Sequence, residues 1–185
     1  MTLSLRPNFL IMITIICTTN RKPSKSRVVA EFYQSLLDQA GAESRIMDLS
    51  DLPANFTSTA LYENAGKNES FNQLMGKVED CEKFVFIVPE YNGSFPGVLK
   101  TFIDGLKYPA SFKDKKCALV GISSGTQGGA LALSHLTDIF NYLGMNVLAL
   151  KVRMPRIEAI LIDGKITDDF SLELLDMQIE QLLKF

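Results

Sequence analysis

Short apolar runs alternate with amphipathic segments along the whole of this chain, with no internal repeat and no low-complexity linker, and that rhythm leaves few folds open. Residues 9–16 form an apolar run that reads as a first buried strand. Val28, Val29, Phe32, Tyr33, Leu36, Leu37 and Ala40 then recur at helical spacing, and Gly41 supplies a stop. Residues 44–49 read as a second strand, residues 53–66 as an irregular excursion broken by Pro53, Asn55 and Gly66, and Phe71, Leu74, Met75 and Val78 as a second helix. The unbroken apolar run 84–88 is what a central parallel strand covered on both faces requires. A third helix on Val98, Leu99, Phe102, Ile103 and Leu106, a strand at 117–122, a helix from Leu131 to Leu143 stopped by Gly144, a fifth strand at 145–150 and a last helix on Leu172, Leu175, Ile179 and Leu182 complete the pattern. Strands alternating with helices predict an α/β fold, a doubly wound three-layer sandwich with right-handed crossovers. For five parallel strands without a second nucleotide-binding half, the expected order is 2-1-3-4-5.

The 185 residues suit one domain spanning residues 1–185, with residues 1–8 an extension ahead of the first strand and Met12 a second candidate start. A formal net charge of −2, with no basic stripe, argues against a nucleic-acid partner. Cys17, Cys81 and Cys117 are widely separated and read as reduced core thiols, while His135 is the only histidine and cannot join a zinc cluster, so no metal is expected. Arg6 followed by the apolar run imitates a secretory signal, but no small-residue cleavage site follows and the run is too short to span a bilayer. The expectation is a cytoplasmic protein with no membrane partner.

In open α/β sheets, ligands bind beyond the carboxyl ends of the strands, near the reversal of strand order. That rule selects the loops 18–26, 89–97 and 123–129. The first joins a strand to a helix N-terminus, where unpaired amides and the helix dipole favour a phosphate; Thr19, Ser24 and Ser26 add hydroxyls and Arg21 a charged donor. Ser24 or Ser26 is equally suited to be an ordinary N-cap. Neither a P-loop nor a G-x-G-x-x-G motif occurs here. The second loop, Pro89-Glu90-Tyr91-Asn92-Gly93-Ser94-Phe95-Pro96-Gly97, has two prolines and two glycines to turn its backbone toward a planar ligand and aromatic rings to stack on one. Glu90 is read as a partner of loop amides rather than a proton-transfer group. The third loop, from Ser123 through Gly125 to Gly129, has three glycines for close backbone approach.

These segments together resemble the NADPH-dependent FMN reductases, a flavodoxin-like family that includes bacterial quinone, chromate and azo-dye reductases. The segment 89–100, followed by Ile103-Asp104, is similar to the family signature; Thr19, Arg21, Lys22, Ser24 and Ser26 are similar to positions that hold the FMN phosphate, and Ser123 with Gly128-Gly129 to positions beside the flavin ring. One departure stands out. The family usually carries Gly where this chain has Thr18, and a β-branched residue tolerates positive φ poorly, so strain or weakened phosphate binding is expected there.

The resemblance implies FMN as cofactor, NADPH or NADH as co-substrate, and a small-molecule electron acceptor. Cofactor-binding positions are then Thr19, Arg21, Ser24, Ser26, Pro89, Glu90, Tyr91, Asn92, Ser123 and Gly125, and no catalytic side chain is needed, because the flavin carries the chemistry. Ser94 and Ser123 lack a matched His and acid in the sequence pattern, which argues against a serine hydrolase. Rivals are a flavodoxin-type electron carrier, which a net charge of −2 speaks against, and a binding domain without cofactor. The resemblance also implies a homodimer or homotetramer, and the excursion 53–66, with Phe56, Leu61 and Tyr62, is the expected contact surface.

Overall fold

Ile13, Ile15 and Cys17 pack into one apolar cluster and Ile16 into another, as the two-residue period of a strand demands. The same division recurs in the neighbouring lane, where Val85 and Ile87 join the first cluster and Phe84, Phe86 and Val88 the second. One sheet therefore separates two cores. The computed structural model describes residues 12–108 and 110–185; the proposed extension 1–8 and the start of the first apolar run, 9–11, lie outside them. The strands are β1 (Ile13–Cys17), β2 (Ser44–Asp48), β3 (Lys83–Pro89), β4 (Lys116–Ile122), β5 (Asn146–Val147) and β6 (Val152–Met154). All pairings among them are parallel, in the order β2-β1-β3-β4-β5 with β6 also on β4.

The helices sort to the two faces by their apolar stripes. Helix α1 (Lys25–Gln39) buries Val29, Ala30, Tyr33 and Leu37, starts at Ser24, whose hydroxyl accepts from the Arg27 amide at 3.2 Å, and ends before Gly41 at φ +74°. The chain then makes a short helix, α2 (Phe56–Thr59), before α3 (Glu69–Glu79), α4 (Gly97–Asp104) and α5 (Ala130–Tyr142), whose buried residues fill the core opposite α1. Phe86, Phe112 and Phe140 interlock there, with ring centroids 4.6 to 6.1 Å apart. Past β6 come α6 (Ile157–Ile160), a hairpin of β7 (Leu161–Ile162) and β8 (Lys165–Ile166), and α7 (Asp169–Lys184), which packs beside α1.

Two expectations need correction. The fifth lane is not a continuous strand over 145–150: β5 and β6 share it, with a gap between them. Gln178 of α7, fully buried, reaches into that gap, donating to the carbonyls of Leu119 (3.1 Å) and Leu150 (2.9 Å) and accepting from the Tyr33 hydroxyl (3.3 Å). A side-chain amide thus satisfies backbone groups that a longer strand would have paired. The excursion 53–66, in turn, does not present an apolar surface. Of its three large apolar residues, Phe56 and Leu61 are buried, Phe56 stacking on Phe71 at 5.9 Å, and Tyr62 alone is exposed.

At the amino-terminal edge of the sheet two buried lysines close helix ends. Lys83 donates to the carbonyls of Leu182 (3.0 Å) and Leu183 (2.9 Å) in the last turn of α7, and Lys115 to those of Val78 (2.7 Å) and Glu79 (2.8 Å) at the end of α3. Both satisfy carbonyls that a helix leaves without intrahelical donors. Burial lowers the pKa of both amines below the ordinary lysine value.

Candidate functional site

The opposite edge of the sheet is open. Beyond the carboxyl ends of β1, β3 and β4 lies a cleft of about 500 Å³ lined by Thr19, Arg21, Pro23, Ser24, Lys25, Ser26, Val28, Pro89, Glu90, Tyr91, Ile122, Ser124, Ile157 and Glu158. It sits at the reversal of strand order, with β1 and β3 at the centre of the sheet.

The first wall is the turn from β1 into α1. Thr18 is buried, and its amide and hydroxyl both donate to the Ile87 carbonyl, at 3.3 and 2.9 Å. It is absent from the residues with positive φ, so the strain expected from a β-branched residue here does not arise. Glycine at this position would leave that carbonyl with one donor instead of two. The Thr19 hydroxyl accepts from the Arg21 amide (3.3 Å) and is hydrogen-bonded to the Tyr91 hydroxyl (2.7 Å), which ties the first loop to the second. Ser24 is the N-cap, Ser26 is buried in the cleft floor, and exposed Arg21 makes no ion pair among the described residues. Beneath this loop, burial, reinforced by the nearby Asp48 carboxylate, pushes the Cys17 thiol up to about 12, so it stays protonated.

The second wall is a tight turn. Tyr91 and Ser94 exchange backbone hydrogen bonds of 2.8 and 3.0 Å across Asn92 (φ +50°) and Gly93 (φ +77°), the pair of left-handed residues that a type I′ turn needs. Glu90 accepts from the Gly93 amide (3.1 Å), as expected of a partner to loop amides, and its own amide donates to Ile122 (2.9 Å). Four of the five amides from 90 to 94 are thereby engaged. Only the Asn92 amide has no partner among the described residues.

The third wall is latched from within. The Ser123 hydroxyl donates to the Gly125 carbonyl and accepts from the Gly128 amide, both at 3.0 Å, and the Gly125 carbonyl also receives the Arg156 amide at 2.9 Å. Gly128 (φ +58°) and Gly129 (φ +75°) then turn the chain into α5. Ser124 instead faces the cleft, its hydroxyl donating to Glu158 at 3.0 Å. Glu158 also pairs with Lys25 at 3.3 Å, and its own backbone amide, Ser124 and Lys25 together hold its carboxyl below the usual range.

Of the residues singled out in sequence, Thr19, Arg21, Ser24, Ser26, Pro89, Glu90 and Tyr91 meet in one cleft, while Asn92, Ser123 and Gly125 do not line it. Sequence reasoning did not find Lys25, Ser124 or Glu158 there, nor the bond of 2.9 Å between the Ser94 hydroxyl and His135 Nδ1 on the exposed side of the second loop. No carboxylate hydrogen-bonds to His135 among the described residues, so that pair is not a hydrolase triad. The described residues contain no group of three His, Cys, Asp or Glu placed to hold a metal ion, and no helix long and apolar enough to cross a membrane.

Residues 11–156 match the family described as NADPH-dependent FMN reductase. An NADH:(hydroxy)cinnamate reductase subunit of Vibrio ruber is 28% identical over 68% of this chain, and the matched region spans 60% of that protein's length. An NAD(P)H:quinone oxidoreductase of Solanum tuberosum is 30% identical over 75% of this chain and 71% of its own. Among solved structures, FerB from Paracoccus denitrificans, a flavoenzyme NAD(P)H:(acceptor) oxidoreductase, superposes with a TM-score of 0.75 at 24% identity, covering 94% of this chain and 96% of that one, and shares its flavodoxin-like fold.

Proposed function

This chain belongs to the NADPH-dependent FMN reductase family, and from that premise we propose that it is a single-domain enzyme that holds FMN in the cleft, reduces it with NADPH or NADH, and delivers the electrons to a small-molecule acceptor. The observation that carries the reading is the cleft itself, in which the first turn of α1 and Arg21, without an ion pair among the described residues, stand on one side and the turn 90–94 on the other. The donors fit a phosphate monoester: the start of α1, the Arg21 guanidinium and the Ser26 hydroxyl line the same cleft. Bound FMN would supply the hydride acceptor for the nicotinamide and the electron donor for a quinone, azo, metal-oxyanion or free-flavin substrate.

What remains for the protein is positioning. Arg21 and the start of α1 bind the phosphate end, and the Thr19–Tyr91 bond fixes the distance from there to the second loop. Glu90 holds the turn in shape by accepting from the Gly93 amide. No side chain of the cleft is asked to act as nucleophile or general acid.

The reading extends to a homodimer or homotetramer in the cytoplasm. Support for association comes from the face of α4 and α5, where exposed Tyr108 and Tyr142 stack at 6.4 Å beside a second cleft lined by Ile103, Leu106, Phe112, Ile139 and Leu143. A reducing compartment agrees with three buried, unpaired cysteines. Colour tests the core of the proposal. Purified protein reconstituted with FMN is expected to be yellow and to bleach anaerobically on adding NADPH or NADH; a yellow protein that neither nicotinamide bleaches is an electron carrier, and one that takes up no flavin is not a flavoprotein.

A further inference from the structure

Glu158 stands where an external anion would be expected. Its carboxylate lines the cleft beside Lys25, the first residue of α1, and receives the Ser124 hydroxyl from the third loop. A helix N-terminus, an ammonium and a hydroxyl are the donors that a phosphate seeks, and here a carboxylate of the chain itself engages two of them. Charge in the lining is correspondingly balanced: Arg21 and Lys25 are opposed by Glu90 and Glu158. The Glu90 carboxylate is committed to the Gly93 amide, whereas the Glu158 side chain is about half exposed (49%) and can turn outward into water at little cost. Glu158 also lies just past the region matched by the family, on α6, so its presence does not follow from membership.

We propose that Glu158 is an internal counter-anion of the cofactor cleft, holding Lys25 and Ser124 until the FMN phosphate displaces it, and thereby setting how strongly the cleft prefers a phosphorylated over an unphosphorylated flavin. The inference rests on the FMN reading above and deepens it. Two effects act in the same direction. A phosphate entering beside an ionised carboxylate meets like-charge repulsion, and Lys25 must exchange one anion for another instead of gaining a first partner. Riboflavin, which has no phosphate, meets neither.

The test is titration of the apo-protein with FMN and with riboflavin, followed by quenching of flavin fluorescence, for the native chain, Glu158→Gln and Glu173→Gln. Glutamine keeps the shape and can still meet Ser124, while the exposed Glu173 of α7, which does not line the cleft, loses the same net charge. Glu158→Gln is expected to bind FMN about three- to tenfold more tightly at low salt, as removal of one partly screened like charge implies. The gain should shrink in high salt, riboflavin affinity should stay unchanged, and Glu173→Gln should behave as the native chain. Equal FMN affinity in native and Glu158→Gln proteins overturns the inference and leaves the FMN reading standing. A loss of affinity for both flavins overturns it too, because Glu158 would then be a direct contact to the ribityl hydroxyls. If none of the folded proteins binds FMN, the FMN reading falls and this inference with it.

Discussion

Arg21→Ala is expected to weaken FMN binding between about fivefold and a hundredfold, the equivalent of losing a charged hydrogen-bond donor worth about 1–3 kcal/mol. The size follows from what Arg21 lacks. Lys25 is engaged by Glu158 and Arg27 by Glu31 (2.8 Å), but Arg21 lines the cleft without an ion-pair partner among the described residues, so its charge is free for the phosphate. The residue is exposed and outside both cores, which predicts an unchanged melting temperature. Riboflavin serves as the control in the same titration. An unaltered FMN affinity would mean that the phosphate is held elsewhere, whatever the activity of the variant.

Gly121→Ala should have the largest effect on stability. A Cβ added at Gly121 would lie 2.3 Å from the Gly128 carbonyl oxygen and 3.1 Å from a Leu133 methyl. The carbonyl has little room to retreat, because Gly128 is itself packed so tightly against Arg153 and Met154 that its own added Cβ would meet them at 2.9 and 3.0 Å. Overpacking of this kind costs about 1–3 kcal/mol, which for a chain of this length lowers the melting temperature by roughly 2–12 °C. A thermal melt followed by circular dichroism measures it. An unchanged melting point would show that the third loop can move away from β4, and that its tight packing does not position the cleft.

Much of this architecture was legible from local pattern. The run Phe84 to Val88 reads as a strand covered on both faces, and glycines 41 and 144 fall where left-handed residues end α1 and α5, at φ +74° and +76°. The positions of Thr19, Arg21, Pro89, Glu90 and Tyr91 in one cleft followed from their places just beyond strand ends, because parallel pairing brings those ends to a single edge. Features made by distant contacts were not legible. Nothing around Gln178 signals that its amide fills the gap in the fifth lane, and nothing around Glu158 points to Lys25 or Ser124. The β7–β8 hairpin is a different case. Its turn, Asp163-Gly164, is a strong type I′ signal between Leu161-Ile162 and Lys165-Ile166 and was available in the sequence.

The divided fifth lane also bears on how copies of this protein can meet. An exposed strand edge offers a row of free amides and carbonyls on which a second molecule can extend the sheet, and long flat edges invite aggregation by that route. Here the outer lane offers two residues in β5, a gap plugged by Gln178, and three residues in β6. An incoming strand would find no continuous ladder to join. The interruption acts as a built-in guard at this edge of the sheet, the one opposite β2, against fibre-like growth by strand addition.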